Sequence, residues 1–463
     1  MQIAPAPSHA IASSAANRPP GPAGRLAWGN LLEAWKDPLA LMSDGCRDFG
    51  PVAQYRFGWL RYVVVADPAA AHHVLVENHK NYVKSQNYQG LKILLGEGLL
   101  TSEGDFWKRQ RKLAQPAFHR ERLAGFVSTM SDCTDDVLSR WQSSQVGTMD
   151  IHREMMRLTF RIVGKTLLSM DLDGDAKAVG EALDVSLHWA NEYVESIVRI
   201  PPWIPTPKNV RFNRAKRTLD SLVLRAATER RAEMERGESV PGDLLTMLLE
   251  ARDPDTGAGM SDEQLKHELL TLILAGHETT ANALSFAFWL LAQNPDVVAE
   301  LRREVETVLG DRAPTLADIP RLAYTQQVVE ESMRLYPPVW AFERQALQDD
   351  VIAGYHVPKG TIVGVSPYVL HRRPELFPDP LRFDPTRFDK AKVKERNKHA
   401  YLPFGGGPRT CIGNMFALME MQIVLAMAVR RFDFSVAPDF EVVLDPSVTL
   451  RPKNGIAMTA TPR

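Results

Sequence analysis

From Ser261 to Asn294-Pro295 the sequence specifies one unbroken helix, and a domain that contains it must be built around it. Ser261 and Gln264 have the spacing of a capping box, Asp262 and Glu263 complement the positive end of the helix, and Asn294-Pro295 supplies a stop. Unbroken over 262–293, the segment is about 48 Å long, enough to cross a domain of this size. From Leu269 to Ala292 it is apolar on nearly every face, yet His277 and Glu278 sit near the middle. Two ionisable side chains there are costly in lipid, so the segment reads as a buried helix and not as a membrane span.

The rest of the chain reads as mainly α with a small β-rich portion. A second helix, Gln326 to Tyr336, runs into Pro337-Pro338 and carries Glu331 and Arg334 one turn apart. Helical spacing of apolar residues dominates from about 69 to 340, with Pro/Gly interruptions at 201–207 and 253–259. The β-branched and aromatic cluster from Pro51 to Ala66, broken at Gly58, predicts a hairpin, and strand-like runs return at Thr361–Val365 and near the C-terminus. Residues 1–24, rich in Ala, Ser and Pro, are expected to be a flexible leader, with structure beginning near Trp28 and residues 25–463 forming a single domain.

Composition removes several function classes. With 55 basic against 56 acidic side chains, no global field draws the chain to nucleic acid or anionic lipid, so no nucleic-acid partner is expected. The three cysteines, Cys46, Cys133 and Cys411, are too few and too scattered for a disulfide framework or a four-cysteine zinc site, which points to a reducing cytoplasm. The N-terminus has no basic leader before an apolar core, and no membrane span is expected.

A lone cysteine is ordinarily a small buried hydrophobe. Cys411, however, stands in Phe404-Gly405-Gly406-Gly407-Pro408-Arg409-Thr410-Cys411-Ile412-Gly413. Such glycine density lets backbone approach a ligand closely and aim N–H groups at a sulfur anion, so the cysteine can be held as thiolate by a metal. Arg409, two residues earlier, offers a cationic fork suited to a carboxylate. Here the chain resembles the cytochrome P-450 superfamily, of soluble bacterial type, whose signature F-x-x-G-x-R-x-C-x-G is matched at Phe404, Gly407, Arg409, Cys411 and Gly413. The resemblance implies haem b (iron protoporphyrin IX) as cofactor, Cys411 as the thiolate ligand of its iron, Phe404 shielding the sulfur and Arg409 pairing with a propionate.

Two further signatures depend on context. E-x-x-R occurs at Glu154/Arg157, Glu233/Arg236, Glu300/Arg303 and Glu331/Arg334, so alone it means only an ion pair on a helix face. The last pair lies directly before Tyr-Pro-Pro and is followed by Phe383-Asp384-Pro385-Thr386-Arg387-Phe388. That segment resembles the family's F-x-P-E-R-F element with Thr386 in place of Glu, which implies that Arg387 joins Glu331 and Arg334 in a structural network beside the haem. Ala275-Gly276-His277-Glu278-Thr279-Thr280 is similar to the family's A-G-x-[DE]-T-T. His277-Glu278 also opens an H-E-x-x-H zinc pattern, but Ala281 stands where the second ligand is needed. The resemblance implies that Ala275 and Gly276 leave room for dioxygen, while Thr279 and Glu278 are catalytic residues that deliver protons. Proton delivery in an otherwise dry site asks for a hydroxyl relay and an acid near solvent. Trp107 and Arg111 match the family's W-x-x-x-R, and with Arg344 they are implied as propionate-binding residues.

The fold implied is that of the cytochromes P-450, with a β-rich portion from residues near 51–66, 345–370 and the C-terminus, and haem between the long helix and the Cys411 loop. The activity implied is that of a monooxygenase placing one atom of dioxygen into a lipophilic small molecule, by hydroxylation or epoxidation. Leu272, Ala275, Val339, Trp340, Ala341 and Val448 are the candidate pocket residues by position; their apolar character names no single substrate. Because the sequence ends at Arg463, soon after the loop, electrons from NAD(P)H are expected through a separate ferredoxin or flavodoxin and its reductase. Lys108, Arg109, Arg111, Lys112, Arg120 and Arg122 make an early helical region locally basic, which suits an acidic partner. Peroxide-using relatives typically lack the acid–threonine pair, so Glu278-Thr279 argues against that alternative; a non-catalytic haem sensor is the other.

Overall fold

In the computed structural model, which describes residues 17–463 apart from 26, 144–146, 171–175 and 197, the long helix runs unbroken over Asp262–Ala292. Both halves of the capping box are made: the Gln264 N–H donates to Ser261 Oγ at 3.2 Å and the Ser261 N–H to Gln264 Oε1 at 2.9 Å. The N-terminal half buries Leu265, Leu269, Leu270, Leu272, Ile273 and Leu274 in one apolar cluster with the helices Ile151–Leu168, Ala176–Glu195 and Pro207–Glu235. The C-terminal half, from Ala281 to Leu291, belongs to a second cluster with the helices Phe126–Ser143, Ala323–Leu335 and Asn414–Arg431. Residues 275–280 fall between the two clusters and belong to neither.

A third cluster lies under the small sheet. The strands Val52–Phe57 and Leu60–Val65 form the expected hairpin, with Phe57 opposite Leu60 and Gly58 at a φ of +61° that favours glycine. Leu60–Val65 pairs in parallel with Ile362–Val365, which pairs antiparallel with Phe342–Ala346; Tyr82–Val83 completes the five strands. This register sets Arg344 opposite Val363. Residues ahead of the boundary expected at residue 24 are hydrogen-bonded to the sheets. Residues 1–16 of the expected leader lie outside the described residues, but the Asn17 carbonyl accepts from the His356 N–H at 2.7 Å and the Pro20 carbonyl from the Gln54 N–H at 2.8 Å. At Pro20 the physical reason is that Val52–Phe57 is an edge strand, and a proline-rich segment has free carbonyls to satisfy its N–H groups.

The helix Ala323–Leu335 begins ahead of the expected Gln326 and ends before Pro337. On it, Glu331 and Arg334 are wholly buried. Arg334 Nε and Nη2 donate to the two Glu331 oxygens at 2.6 and 2.8 Å, and its Nη1 donates to the carbonyls of His371 and Pro380 at 2.8 and 2.7 Å. Glu331 Oε1 also accepts from the Asp384 N–H at 2.8 Å and lies 3.3 Å from Arg387 Nε. By contrast, Glu300 and Arg303 pair in solvent, and Arg236 pairs with Glu238 instead of Glu233. His371 carries the connection onward, its Nε2 accepting from the Leu402 N–H at 2.9 Å, so the triad braces the segment that enters the Cys411 loop.

Burial penalises each charge heavily, and only a complete set of partners offsets it. Glu331→Ala leaves two guanidinium groups without their shared carboxylate, at an expected cost of about 3–5 kcal/mol. The cost is read as a lowered denaturation midpoint, with Glu300→Ala as the surface control; a wild-type midpoint for Glu331→Ala would remove the triad's supporting role.

Candidate functional site

The Cys411 loop forms one wall of a cavity of about 630 Å³, and the 275–280 interval of the long helix forms another. Gly405 and Gly407 take φ angles of +73° and +68°. A Cβ on Gly407 would stand 2.0 Å from the Leu75 carbonyl oxygen, so only glycine lets the loop pass this close to the turn His73–Glu77. The Cys411 N–H donates to the Phe404 carbonyl at 2.9 Å, and Thr410 Oγ1 donates to the Gly407 carbonyl at 2.7 Å, which closes the turn on itself. From the helix Gly104–Ala114, Arg111 Nη1 donates to the Thr410 carbonyl at 2.9 Å.

The three thiols differ in setting. Cys46 and Cys133 are buried, and burial pushes them up to about 12 and about 11. Cys411 instead opens onto the cavity. Its surrounding protein raises the thiol, while the Gly413 N–H and the Arg111 charge act in the opposite direction and favour the thiolate.

Across the cavity, Ala275 and Thr279 lie one turn apart on the same helix face. Thr279 Oγ1 donates to the Ala275 carbonyl at 2.6 Å, which leaves its lone pairs to accept from a donor in the cavity. Gly276 borders the cavity too, but a Cβ there would meet Val163 Cγ2 at 3.2 Å, so the glycine also serves close packing against Ile151–Leu168. His277 turns to that helix: its Nε2 pairs with the Met156 carbonyl at 3.0 Å, its ring meets Phe160, and burial lowers it to about 4. Glu278 is buried, and its Oε1 accepts from Thr449 Oγ1 at 2.7 Å. Burial raises this carboxyl, with Thr449 and Arg451 opposing.

At one edge of the cavity Lys84, Arg344 and Arg409 converge. The Arg409 guanidinium lies 4.0 Å from the centre of the Trp107 ring and pairs with Glu103, and its Nη1 is buried without a hydrogen-bond partner. Arg344 Nη1 donates to the Glu343 carbonyl at 2.9 Å. Burial holds Lys84 well below the usual lysine range, and Arg344 and Arg409 deepen the shift. The other nearby carboxylate, Glu343, is engaged by Ser85 at 2.5 Å and Asn87 at 2.8 Å. Glu103 serves both Lys84 and Arg409 with Arg344 beside them, and an unpartnered guanidinium nitrogen remains. The two propionates of a haem are the complement that fits this edge.

Lys84 and Thr449 had no local signature, since one lies in a short strand's wake and the other in a turn. The expected pocket residues Leu272, Ala275, Val339, Trp340, Ala341 and Val448 all line the cavity. The basic face expected around residues 108–112 is largely neutralised. Lys108 and Lys112 pair with Asp105 and Asp255, each at 2.7 Å, and Arg109 lies 3.5 Å from Asp253. The acids at 253 and 255 come from a connection remote in sequence, which local charge counting does not reveal.

The cytochrome P450 family pattern matches residues 19–459. Cyclooctatin synthase of Streptomyces melanosporofaciens is 35% identical over 95% of this chain and 93% of that protein. Cyclooctat-9-en-7-ol 5-monooxygenase of the same organism is 34% identical over 89% of this chain and 88% of that protein. The crystal structure of the cytochrome P450DA heme domain is similar with a TM-score of 0.88 at 26% identity, covering 97% of this chain and 98% of that one. Among the described residues no helix is long and apolar enough to cross a membrane.

The approach at Gly407 has a direct test. Gly407→Ala is expected to cut haem bound per chain several-fold, read from the ratio of Soret to protein absorbance. Gly406→Ala, whose Cβ meets Leu75 Cδ1 at an ordinary 3.4 Å, should stay near wild type. Equal haem content in the two variants overturns the argument.

Proposed function

The chain belongs to the cytochrome P450 family, and from that membership we propose that it is a haem-thiolate monooxygenase with Cys411 as the thiolate ligand, acting on a lipophilic small molecule. The observation that carries this reading is one cavity bordered by Cys411, by Ala275 and Thr279 opposite, and by Lys84, Arg344 and Arg409 at its edge. Bound haem supplies the oxygen chemistry, in which one atom of dioxygen enters a C–H or C=C bond of the substrate and the other leaves as water.

The chain's own residues bind, orient and move protons. The Gly413 N–H and Arg111 stabilise negative charge on the Cys411 sulfur, and Phe404 shields it. Trp107, Arg344 and Arg409, joined by Lys84, hold the propionates. Arg111, expected with them, we assign chiefly to the Cys411 loop through Thr410. Ala275 leaves space in the cavity where dioxygen would bind, Thr279 offers its hydroxyl, and Glu278 is the acid beside it. This acid–threonine pair supports dioxygen over peroxide as the oxidant.

The apolar lining, with Leu272, Val339 and Val448, suits a mostly hydrocarbon substrate. One relative's name gives an alkene alcohol, cyclooctat-9-en-7-ol, and a substrate of that kind, hydroxylated or epoxidised, fits the lining. Family members take electrons from a redox partner. For this chain we assign a ferredoxin or flavodoxin with its NAD(P)H-dependent reductase, approaching a hollow behind Cys411 lined by Arg111, Gln115, His119 and Met415. Residues serving one haem run from Lys84 to Gly413, which supports the expected 25–463 as a single domain, extended by the bonded segment from Asn17. Three free cysteines support a cytoplasmic setting.

Cys411→Ser is expected to abolish the long-wavelength carbon-monoxide band of the reduced protein; a retained band rejects the ligand assignment. Thr279→Ala preserves helix propensity, so folding and haem content should stay unchanged. Product formed per nicotinamide oxidised should fall several-fold, with hydrogen peroxide making up the difference. A wild-type ratio would make Thr279 a packing residue and end its proton-delivery role.

A further inference from the structure

From Glu278 and Thr449, which both border the cavity, a chain of hydrogen bonds leads to residues outside its lining. Glu278 Oε1 accepts from Thr449 Oγ1 at 2.7 Å, Thr449 Oγ1 accepts from Asn282 Nδ2 at 3.1 Å, and Asn282 Oδ1 lies 2.9 Å from His152 Nε2. Glu278 and Asn282 are one turn apart on the long helix, Thr449 lies between the strands Leu444–Pro446 and Leu450–Pro452, and His152 opens the helix Ile151–Leu168. Asn282 is 0% and Thr449 6% exposed, whereas His152 is only half-buried. The chain therefore joins a buried acid to a titratable group within reach of solvent.

An asparagine amide does not pass protons along such a chain, so this is not a proton wire; it is directional. Thr449 has one proton to donate, and it goes to Glu278, so Thr449 must accept from the Asn282 amide. That leaves the Asn282 carbonyl facing His152, which must then donate from Nε2. Both the imidazolium and the neutral Nε2–H tautomer satisfy this arrangement; the Nδ1–H tautomer does not. With Oε1 committed as an acceptor, a proton on Glu278 has to sit on Oε2, the remaining oxygen of a side chain that borders the cavity.

We infer that His152, Asn282 and Thr449 are positioning residues for Glu278, which hold Oε1 as an acceptor and so keep the transferable proton on Oε2. The inference rests on Glu278 being the acid of the proposed reaction. Reversing the chain requires a proton on Oε1, a flipped Asn282 amide and a His152 Nε2 that accepts, which a protonated His152 cannot do. Donation by His152 and acceptance by Glu278 are thus linked, and by reciprocity each favours the other.

Other charges face both ends and set the background for this coupling. Glu278 is raised by burial, with Thr449 and Arg451 opposing and Asp184 and Asp445 adding to the rise. Arg451 and Asp445 pair with each other at 2.9 Å, and Asp184 comes from Ala176–Glu195. His152 is lowered by burial, against Asp150 and the bond to Asn282, with Arg451 adding to the fall. His277, on the long helix, feels the His152 charge and is itself lowered to about 4, chiefly by burial.

The test is a nitrogen-15 titration of His152 in the ferrous carbon-monoxide holoenzyme, assigned by the signal lost in His152→Gln. Neutral His152 is expected as the Nε2–H tautomer; a predominant Nδ1–H tautomer overturns the inference. Glu278→Gln should lower the His152 pKa by about 0.5 unit through the chain, the size of a weak coupling between contacting residues. In an Asn282→Leu background, or in Thr449→Val should Asn282→Leu fail to fold, the same change should lower it by less than half as much. An equal shift in the intact and broken backgrounds means that charge acts directly through space and the chain positions nothing. The role of Glu278 itself is tested separately, by product per nicotinamide oxidised in Glu278→Gln. A wild-type ratio there, with the His152 coupling intact, removes the acid assignment and leaves the chain standing.

Discussion

A helix that is apolar on nearly every face must be surrounded, and the burial of Asp262–Ala292 organises the molecule. Its two halves enter different apolar clusters, with the helix Ile151–Leu168 packed along both and the other partner helices changing between them, because no single partner layer covers 31 residues. The change of clusters falls at residues 275–280. There the helix carries Ala, Gly, His, Glu and two Thr in place of large apolar side chains, and the wall is left open as one side of a cavity. The site is in this sense a consequence of packing, since the space exists where neither core reaches.

Buried charge is handled in three ways, and the differences follow function. Glu331, Arg334 and Arg387 are closed on themselves and on backbone carbonyls, and their work is to brace the strand of chain that enters the Cys411 loop. Lys84, Arg344 and Arg409 converge with too few acids to balance them, which is what supports the proposal that they receive the propionates. Glu278 lies between these extremes: one oxygen is fixed by Thr449, while the side chain still borders the cavity. The role proposed for Glu278, to gain and lose a proton, calls for that half-finished solvation.

The Cys411 loop shows how backbone geometry becomes chemistry. Positive φ at Gly405 and Gly407 turns the chain tightly enough to pass under Leu75, and the same turn brings the Gly413 N–H to the sulfur. Of the three thiols it alone faces a cavity, so its environment and not its residue type separates it from Cys46 and Cys133.

Much was legible in the chain itself. The long helix and its cap, the hairpin at Gly58, the proline stop after Leu335 and the glycine pattern around Cys411 are all dictated by neighbours a few residues away, where propensity, capping and φ requirements act. The resemblance also picked out Glu331–Arg334 among four equal patterns by the order of motifs. What the sequence did not contain was pairing over distance. The acids that neutralise Lys112 and Arg109 come from residues 253 and 255, Lys84 reaches the cationic edge from a short strand, and the chain behind Glu278 links positions 152, 282 and 449. The attachment of the segment at Pro20 was likewise decided by an edge strand with N–H groups to satisfy. Local rules set the elements because their energies depend on adjacent residues; the partners of a buried or charged side chain depend on which segments tertiary packing brings within about 3 Å, the reach of a hydrogen bond.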